Sequence, residues 1–220
     1  MNNTLPLLVL ASNSPRRRQL LALGGWVFDV DVSNIDETRL PAEAPASYVR
    51  RLAEQKTRAV LSRARPEHLI IGSDTSVVID GDVLGKPAEA LEAREMLLRL
   101  RGRTHQVYTG IAVLRVADGN IWTEVVVTNV PMRNYGAEEI ERYIATGDPL
   151  DKAGAYGIQN PDFQPVASMT GCYASVMGLP LCSLSFLLRQ AGVESGAYIP
   201  ANCQATINYQ CPVFHVFLRG

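Results

Sequence analysis

The chain has 220 residues, 47% of them hydrophobic and 20% charged, with a formal net charge of -1. That length supports one large domain or two lobes around a shared core, and the charge balance excludes a broad electrostatic grip on nucleic acid. No apolar run reaches the length of a membrane span, and the opening MNNTLPLLVLAS has no basic segment ahead of an apolar one. Neither a membrane partner nor a secretory leader is expected.

Residues 7–10 form a short apolar run of the kind found in an interior strand. The polar loop Ser12-Asn13-Ser14 follows, then Pro15-Arg16-Arg17-Arg18. Ser14 suits an N-cap and Pro15 the first helical position, where its missing N–H costs nothing. Three arginines at a helix start oppose the helix dipole, a conflict that a bound anion would remove; a solvated basic face is the plainer alternative. Gly24-Gly25 end this helix, and the alternation over 26–32 predicts a strand. An acidic loop, Ile35-Asp36-Glu37, precedes a helix expected from 47 to about 63, with Tyr48, Leu52, Ala53, Val60 and Leu61 inward and Lys56 near its middle.

Residues 68–71 read as a strand ending in Gly72-Ser73-Asp74-Thr75. A hairpin is expected at Asp80-Gly81-Asp82, running into Gly85-Lys86-Pro87. A helix follows over 88–100. Two long strands, 104–116 and 121–132, are joined at Ala117-Asp118-Gly119-Asn120, and a short helix spans 137–145. Residues 151–159 are glycine-rich and irregular, 160–170 a loop, 172–176 a strand and 180–190 a closing helix. The tail from 194 to 220 shows no clear period, with a short apolar stretch at 212–217 that suits an extra strand or a weakly docked terminus.

The four cysteines, Cys172, Cys182, Cys203 and Cys211, form no C-x-x-C pair. Adding His215 to Cys203 and Cys211 matches no metal spacing either. Cys172 and Cys182 read as small core residues, and the chain is expected in a reducing cytoplasm.

Basic groups (Arg16, Arg17, Lys56, Lys86, Lys152), carboxylates (Glu37, Asp74) and small or hydroxylated residues (Ser12, Ser14, Thr75, Gly85) recur at predicted strand ends and loops. Together they are what a metal–triphosphate site requires. Lysine and arginine neutralise phosphate oxygens, carboxylates hold a hard cation, and a carboxylate can take a proton from the attacking water. Each residue alone has an ordinary explanation as a cap, a turn or a solvated charge. The P-loop pattern fails, because Pro87 stands where Ser or Thr is needed and Asp80 where Gly is. Neither a dinucleotide fingerprint nor a hydrolase elbow is present.

In combination these motifs resemble the Maf-like nucleotide pyrophosphatases. The resemblance is carried by Leu10-Ala11-Ser12-Asn13-Ser14-Pro15-Arg16-Arg17, Ile35-Asp36-Glu37, Arg51-Leu52-Ala53 leading to Lys56, Gly72-Ser73-Asp74-Thr75, Gly85-Lys86-Pro87, Thr104-His105-Gln106-Val107-Tyr108-Thr109-Gly110, Asp151-Lys152-Ala153-Gly154-Ala155-Tyr156-Gly157-Ile158-Gln159 and Gly178-Leu179-Pro180, in the family's order. It implies a mixed α/β fold: an elongated central sheet with flanking helices and two lobes around a nucleotide cleft. A single domain over residues 1–193 and an atypical tail over 194–220 are expected.

The resemblance further implies hydrolysis of a nucleoside triphosphate between the α and β phosphates, in nucleotide-pool cleansing. Asp74 falls on the family's proton acceptor. Ser12, Arg16, Arg17, Glu37, Lys56 and Lys86 fall on its phosphate and metal groups, with Glu37 and Asp74 holding a divalent cation, Mg2+ first and Mn2+ second. Ser14 joins the substrate-binding loop. Arg16, Thr75 and Gln159 mark the branch that prefers dTTP and UTP, and Gln159 offers a donor and an acceptor to a pyrimidine edge. A homodimer is compatible with the family pattern. The rival reading is a non-catalytic nucleotide-binding regulator of cell division; retention of Asp74, Glu37 and the lysines argues for an enzyme, since binding alone needs no base.

Overall fold

One strand, β3, carries the architecture. In the computed structural model, which describes residues 7–214, the sheet has the order β2-β1-β3-β5-β6, and β4 pairs with β3 off this path. The strands are β1 (Leu8–Leu10), β2 (Phe28–Val30), β3 (Leu69–Ile79), β4 (Asp82–Leu84), β5 (Thr104–Arg115) and β6 (Ile121–Pro131). β1 lies parallel to β2 and β3, while β5 runs antiparallel to its neighbours β3 and β6, so the sheet is mixed.

β3 runs unbroken through Gly72-Ser73-Asp74-Thr75, where the sequence suggested a strand end. Glycine, serine and aspartate are poor strand formers, but pairing with β5 from Leu69 to Val78 overrides that preference. The opposite edge of β3 is paired with β1 only at Leu69, Ile70 and Ile71, and with β4 only at Val77, Val78 and Ile79. Residues 72–76 therefore border a gap in the sheet. The Ile71 carbonyl accepts from Ala11 on the β1 side at 2.8 Å. Main-chain groups alternate sides along an antiparallel pair, so those of Ser73 and Thr75 face the gap.

The helices are α1 (Pro15–Ala22), α2 (Pro45–Ala59), α3 (Ala90–Leu100), α4 (Ala137–Ala145), α5 (Tyr173–Val176), α6 (Leu181–Gln190) and α7 (Ile199–Ile207). One apolar cluster joins Leu20 and Leu21 of α1, Leu184 and Leu188 of α6 and Ile199 of α7 to Leu8, Leu10, Ile71 and Val113 of the sheet. A second joins Leu97 and Leu100 of α3 and Ile140 of α4 to Val77, Ile79 and Val107. Both use the same face of β3, through Ile71 and then Val77 and Ile79, at its two ends. These are the two lobes, and the sheet gap lies between them.

α2 covers the other face. Its buried stripe is Val49, Leu52, Ala53, Lys56 and Thr57. Tyr48, expected to point inward, is only partly buried, and the core position is taken by Val49. The helix stops at Ala59 rather than near 63; Pro66 disfavours helical backbone at Arg65, and the chain tightens into a 3-10 turn at Leu61–Arg63. Two glycines let α2 approach the sheet. A Cβ on Gly72 would lie 2.1 Å from the Ala53 carbonyl oxygen, and one on Gly110 would lie 2.4 Å from that of Val49. Gly110 is the β5 partner of Asp74, so this close approach brings the helix down beside Asp74. Gly110→Ala is expected to cost about 3 kcal/mol of stability through overpacking, read as a lowered urea midpoint.

Residues 172–176 are helical, not a strand. Cys172 Sγ accepts from the Ser175 N–H at 3.4 Å and caps α5; a short apolar run has no period by which to tell the two states apart. The tail also forms a helix, α7, packed on the first cluster through Ile199. The apolar stretch 212–217 lies partly, and His215 wholly, outside the described residues.

Candidate active site

The β1–α1 loop builds one wall of the site. Ser14 accepts from the Arg17 N–H at 3.4 Å and caps α1, Pro15 opens the helix, and no acidic residue occupies its first turn. Arg18 is exposed, whereas Arg17 turns inward. Its guanidinium donates to the Gly178 carbonyl (3.0 Å), Ser12 Oγ (3.3 Å) and Thr75 Oγ1 (3.3 Å). Thr75 Oγ1 also pairs with Thr109 Oγ1 at 3.0 Å. Burial pulls the Arg17 pKa down, while the charges of Asp74 and Glu37 act to raise it. The result is a rigid cation with its side-chain geometry set before any ligand arrives.

The centre of the site is an acid–base–acid row. Lys56 Nζ lies 2.6 Å from Asp74 Oδ1 and 2.8 Å from Glu37 Oε1. The Lys56 and Asp74 side chains are 8% and 9% exposed and Glu37 is 53% exposed, so the row runs from the interior to the cleft. Burial acts to raise the Glu37 pKa, but the Lys56 hydrogen bond and the charges of Lys56, Lys86 and Arg17 outweigh it and hold the carboxyl below its ordinary value. Asp74 Oδ2 makes no hydrogen bond among the described residues, and Asp74 lines the cleft.

α2 also anchors the loop that presents Glu37. Tyr48 donates to the Glu37 carbonyl at 2.7 Å, and Arg51 makes a two-pronged contact with Glu43, 2.7 Å on each side. Sequence reading missed both anchors. Their signal is faint: Arg51 lies within the Arg51-Leu52-Ala53 motif, and the helical period puts Tyr48 on the core face.

The second lobe contributes Lys86, at the exit of β4, and the 148–160 segment. Two short 3-10 turns, Asp148–Asp151 and Ala153–Ala155, open this segment, the second with left-handed backbone at Gly154 and Ala155, and the chain stays irregular through Gln159 as expected. Lys152 is buried and donates to Asp148 Oδ1 (2.8 Å), Asp151 Oδ1 (2.6 Å) and the Asp148 carbonyl (2.7 Å), so at the cleft wall its charge is met within this segment. Tyr143 donates to Asp148 Oδ2 at 2.7 Å and accepts from the Gly157 N–H at 2.9 Å. Asn160 reaches the same carboxylate at 3.3 Å. This network fixes the backbone on both sides of Gln159, whose side chain is exposed toward the cleft. Arg16 extends across to Asp151, with 3.9 Å between Nη1 and Oδ2, linking the lobes. His105 is buried with Nε2 2.8 Å from the Tyr156 hydroxyl. Burial lowers its pKa to about 4, so it supports Tyr156 at the cleft wall as a neutral ring.

Ser12, Ser14, Arg16, Arg17, Glu37, Lys56, Asp74, Thr75, Lys86 and Gln159 all line one cleft of about 1040 Å³. Every position singled out from the sequence thus converges, although Ser14 and Thr75 already use their hydroxyls on Arg17 or its N–H. Among the described residues no three His, Cys, Asp or Glu side chains gather as a metal site. Two hard carboxylates beside a cationic wall still suit a hard divalent cation of the kind that takes one or two carboxylates and completes its shell with water and phosphate oxygens.

The profile of the Maf-like protein family matches residues 7–191. The chain is a Maf-like protein. A relative from Chlorobium phaeovibrioides (strain DSM 265 / 1930), named dTTP/UTP pyrophosphatase, is 46% identical over 84% of this chain and 97% of its own length. Proteins of the same name from Anaeromyxobacter dehalogenans (strain 2CP-C) and Vibrio cholerae serotype O1 are 47% and 46% identical, each over 85% of this chain and over 95% and 99% of their own lengths. The sheet, its gap and the residues lining the cleft of this Maf-like protein all fall within the matched residues, whereas α7, which packs on the first lobe, lies beyond them. No helix among the described residues is long and apolar enough to cross a membrane.

Proposed function

We propose that this Maf-like chain hydrolyses dTTP and UTP to the monophosphate and pyrophosphate. The observation that carries the reading is the Glu37–Lys56–Asp74 row, with an unpaired Asp74 oxygen on a cleft walled by Arg17 and Lys86. Binding a polyphosphate needs the cations alone. A buried carboxylate with one oxygen held and the other open to the cleft also suits proton abstraction.

In this reading Arg17, Ser12 and the α1 N-terminus grip phosphate oxygens, and Lys86 approaches them from the other lobe. Lys56 orients Asp74 by holding Oδ1, which leaves Oδ2 to accept a proton from the attacking water. Water adds at the α phosphorus, the α–β bridging bond breaks and pyrophosphate leaves. Glu37 and Asp74 would hold a divalent cation, Mg2+ first and Mn2+ second, which when bound supplies charge neutralisation on the phosphates. Thr75 acts through Arg17. Arg16 and Gln159 face the base, and Gln159 can both donate to and accept from a pyrimidine edge. Residues 1–193 form the catalytic domain and 194–220 an appendage to it.

Pyrophosphate release in the presence of Mg2+ across dTTP, UTP, CTP and methylated GTP tests this reading. Selective release from dTTP and UTP is the expected result. Release only from the others would overturn the base assignment, and binding of nucleotide without release from any would overturn the chemistry in favour of a nucleotide-binding regulator.

A further inference from the structure

All four cysteines of the chain line one small apolar cavity of about 20 Å³ between α5, α6 and the tail. Cys172 comes from the N-cap of α5, Cys182 from α6, Cys203 from α7 and Cys211 from the segment after it. The tail is docked there by directed contacts. Asn208, at φ +54°, turns the chain back after α7. Tyr209 then donates to the carbonyls of Met169 (2.9 Å) and Gly171 (3.0 Å), and its ring packs 5.5 Å from that of Tyr173. The Cys211 N–H donates to Gln204 Oε1 at 2.9 Å. These contacts bring the Cys211 thiol beside the Cys172 thiol on the wall of one cavity.

We propose that Cys172 and Cys211 form a redox modification site, a dithiol that closes to a disulfide and fastens the C-terminal tail to the domain. The other chemistry open to gathered thiols is a soft metal. The structure disfavours it: among the described residues no charged side chain lines the cavity and no three metal-binding side chains gather. Cys182 and Cys203 stay reduced, each fixed within a helix, whereas Cys172 and Cys211 lie outside one, at the α5 N-cap and after α7. Burial first, then the neighbouring thiols, pushes the pKa values of Cys182 and Cys203 to about 12 and 11, which leaves them protonated and poorly nucleophilic. Cys172 is also held as a thiol, by the neighbouring Cys211 thiol and by burial, so closure is slow and needs a disulfide oxidant such as oxidised glutathione.

The exchange balances. One protein thiol gives its proton to solvent, and its thiolate attacks a glutathione sulfur. That step breaks the glutathione S–S bond and releases one glutathione thiolate. The second protein thiol loses its proton in turn, and its thiolate displaces the remaining glutathione. Two protein thiols are oxidised, one glutathione disulfide is reduced to two glutathiones, and the protons end on the released thiolates.

The consequence reaches toward the cleft. Cys172 caps α5, which ends in the turn carrying Gly178, and the Gly178 carbonyl holds both Arg17 and Ser73. A disulfide therefore braces the turn behind the cationic wall from its far side.

The test incubates the full chain with oxidised glutathione, quenches with N-ethylmaleimide, and reads intact mass, peptide map and Tm. The expected outcome is loss of two hydrogens, a Cys172–Cys211 linked peptide, and a Tm rise of roughly 5 °C that dithiothreitol reverses. Cys203→Ser should leave the cross-link in place and Cys211→Ser should remove it. A chain that keeps all its thiols alkylatable, links a different pair, or stops at a glutathione adduct would overturn the proposal. So would zinc in the purified protein that masks the thiols until a chelator is added.

Discussion

Asp74→Asn is expected to slow pyrophosphate release by roughly 10³-fold, the middle of the range for loss of a positioned general base. Asparagine keeps the volume of aspartate and can still present an oxygen to Lys56 Nζ, which lies 2.6 Å from Asp74 Oδ1 in the native side chain. It cannot accept the proton of an attacking water. The phosphate-facing groups, Arg17 and Lys86, do not depend on Asp74 for their position: Arg17 is held by Gly178, Ser12 and Thr75. Nucleotide affinity should therefore stay within a few-fold. Single-turnover pyrophosphate release alongside calorimetric binding separates the two effects. A drop in turnover of less than tenfold would place the base elsewhere.

Lys56→Met should damage both stability and turnover. Methionine fills most of the same space on the buried stripe of α2, but it removes the cation between two carboxylates. Asp74, with its side chain 9% exposed, would be left as a buried charge without a partner, a loss worth about 3–5 kcal/mol. Glu37 is half exposed and contributes little of that cost, because water screens it. The prediction has an internal control. In the Lys56→Met, Asp74→Asn double variant the stranded charge is gone, so most of the stability should return while turnover stays absent. Urea denaturation of the two single variants and the double variant measures the coupling. Additive losses would mean that Lys56 stabilises the fold by packing alone.

Local chemistry made most of the site legible. Ser14-Pro15 reads as a helix start because the cap and the proline each satisfy or tolerate backbone groups that a helix leaves open, and the structure has both in those roles. Lys56 carried a further signal that periodicity alone could have yielded. It sits three and four residues after Ala53 and Leu52, so it continues their stripe, and a lysine there must be buried with a partner. The partners could not be read. Asp74 is 18 residues away, and only the register of β3 against β5, with Gly72 and Gly110 admitting α2, brings them together.

Where reading the chain failed, the missing information was non-local. Gly72-Ser73-Asp74-Thr75 has the composition of a turn, yet β5 holds it as a mid-sheet strand along a gap that neither β1 nor β4 fills. Lys152 is one more cation in the sequence; in the folded chain its charge is spent on Asp148 and Asp151, which steadies the backbone around Gln159. The tail has no period because α7 fully buries only Ile199 and Pro200 of its first turn, so few of its positions need to be apolar. Cysteine spacing gave no pattern because the four thiols arrive from four different segments.

The sequence by itself determined the chemical inventory and its order along the chain: a capped cationic helix start, two carboxylates, lysines at set places and strands long enough to bridge two lobes. Those follow from side-chain type and short-range period, which each residue carries with it. Tertiary structure alone decided which charges neutralise one another and which remain free to act. Charge pairing depends on distances of a few ångströms between residues far apart in sequence, and only the packed sheet and helices set those distances.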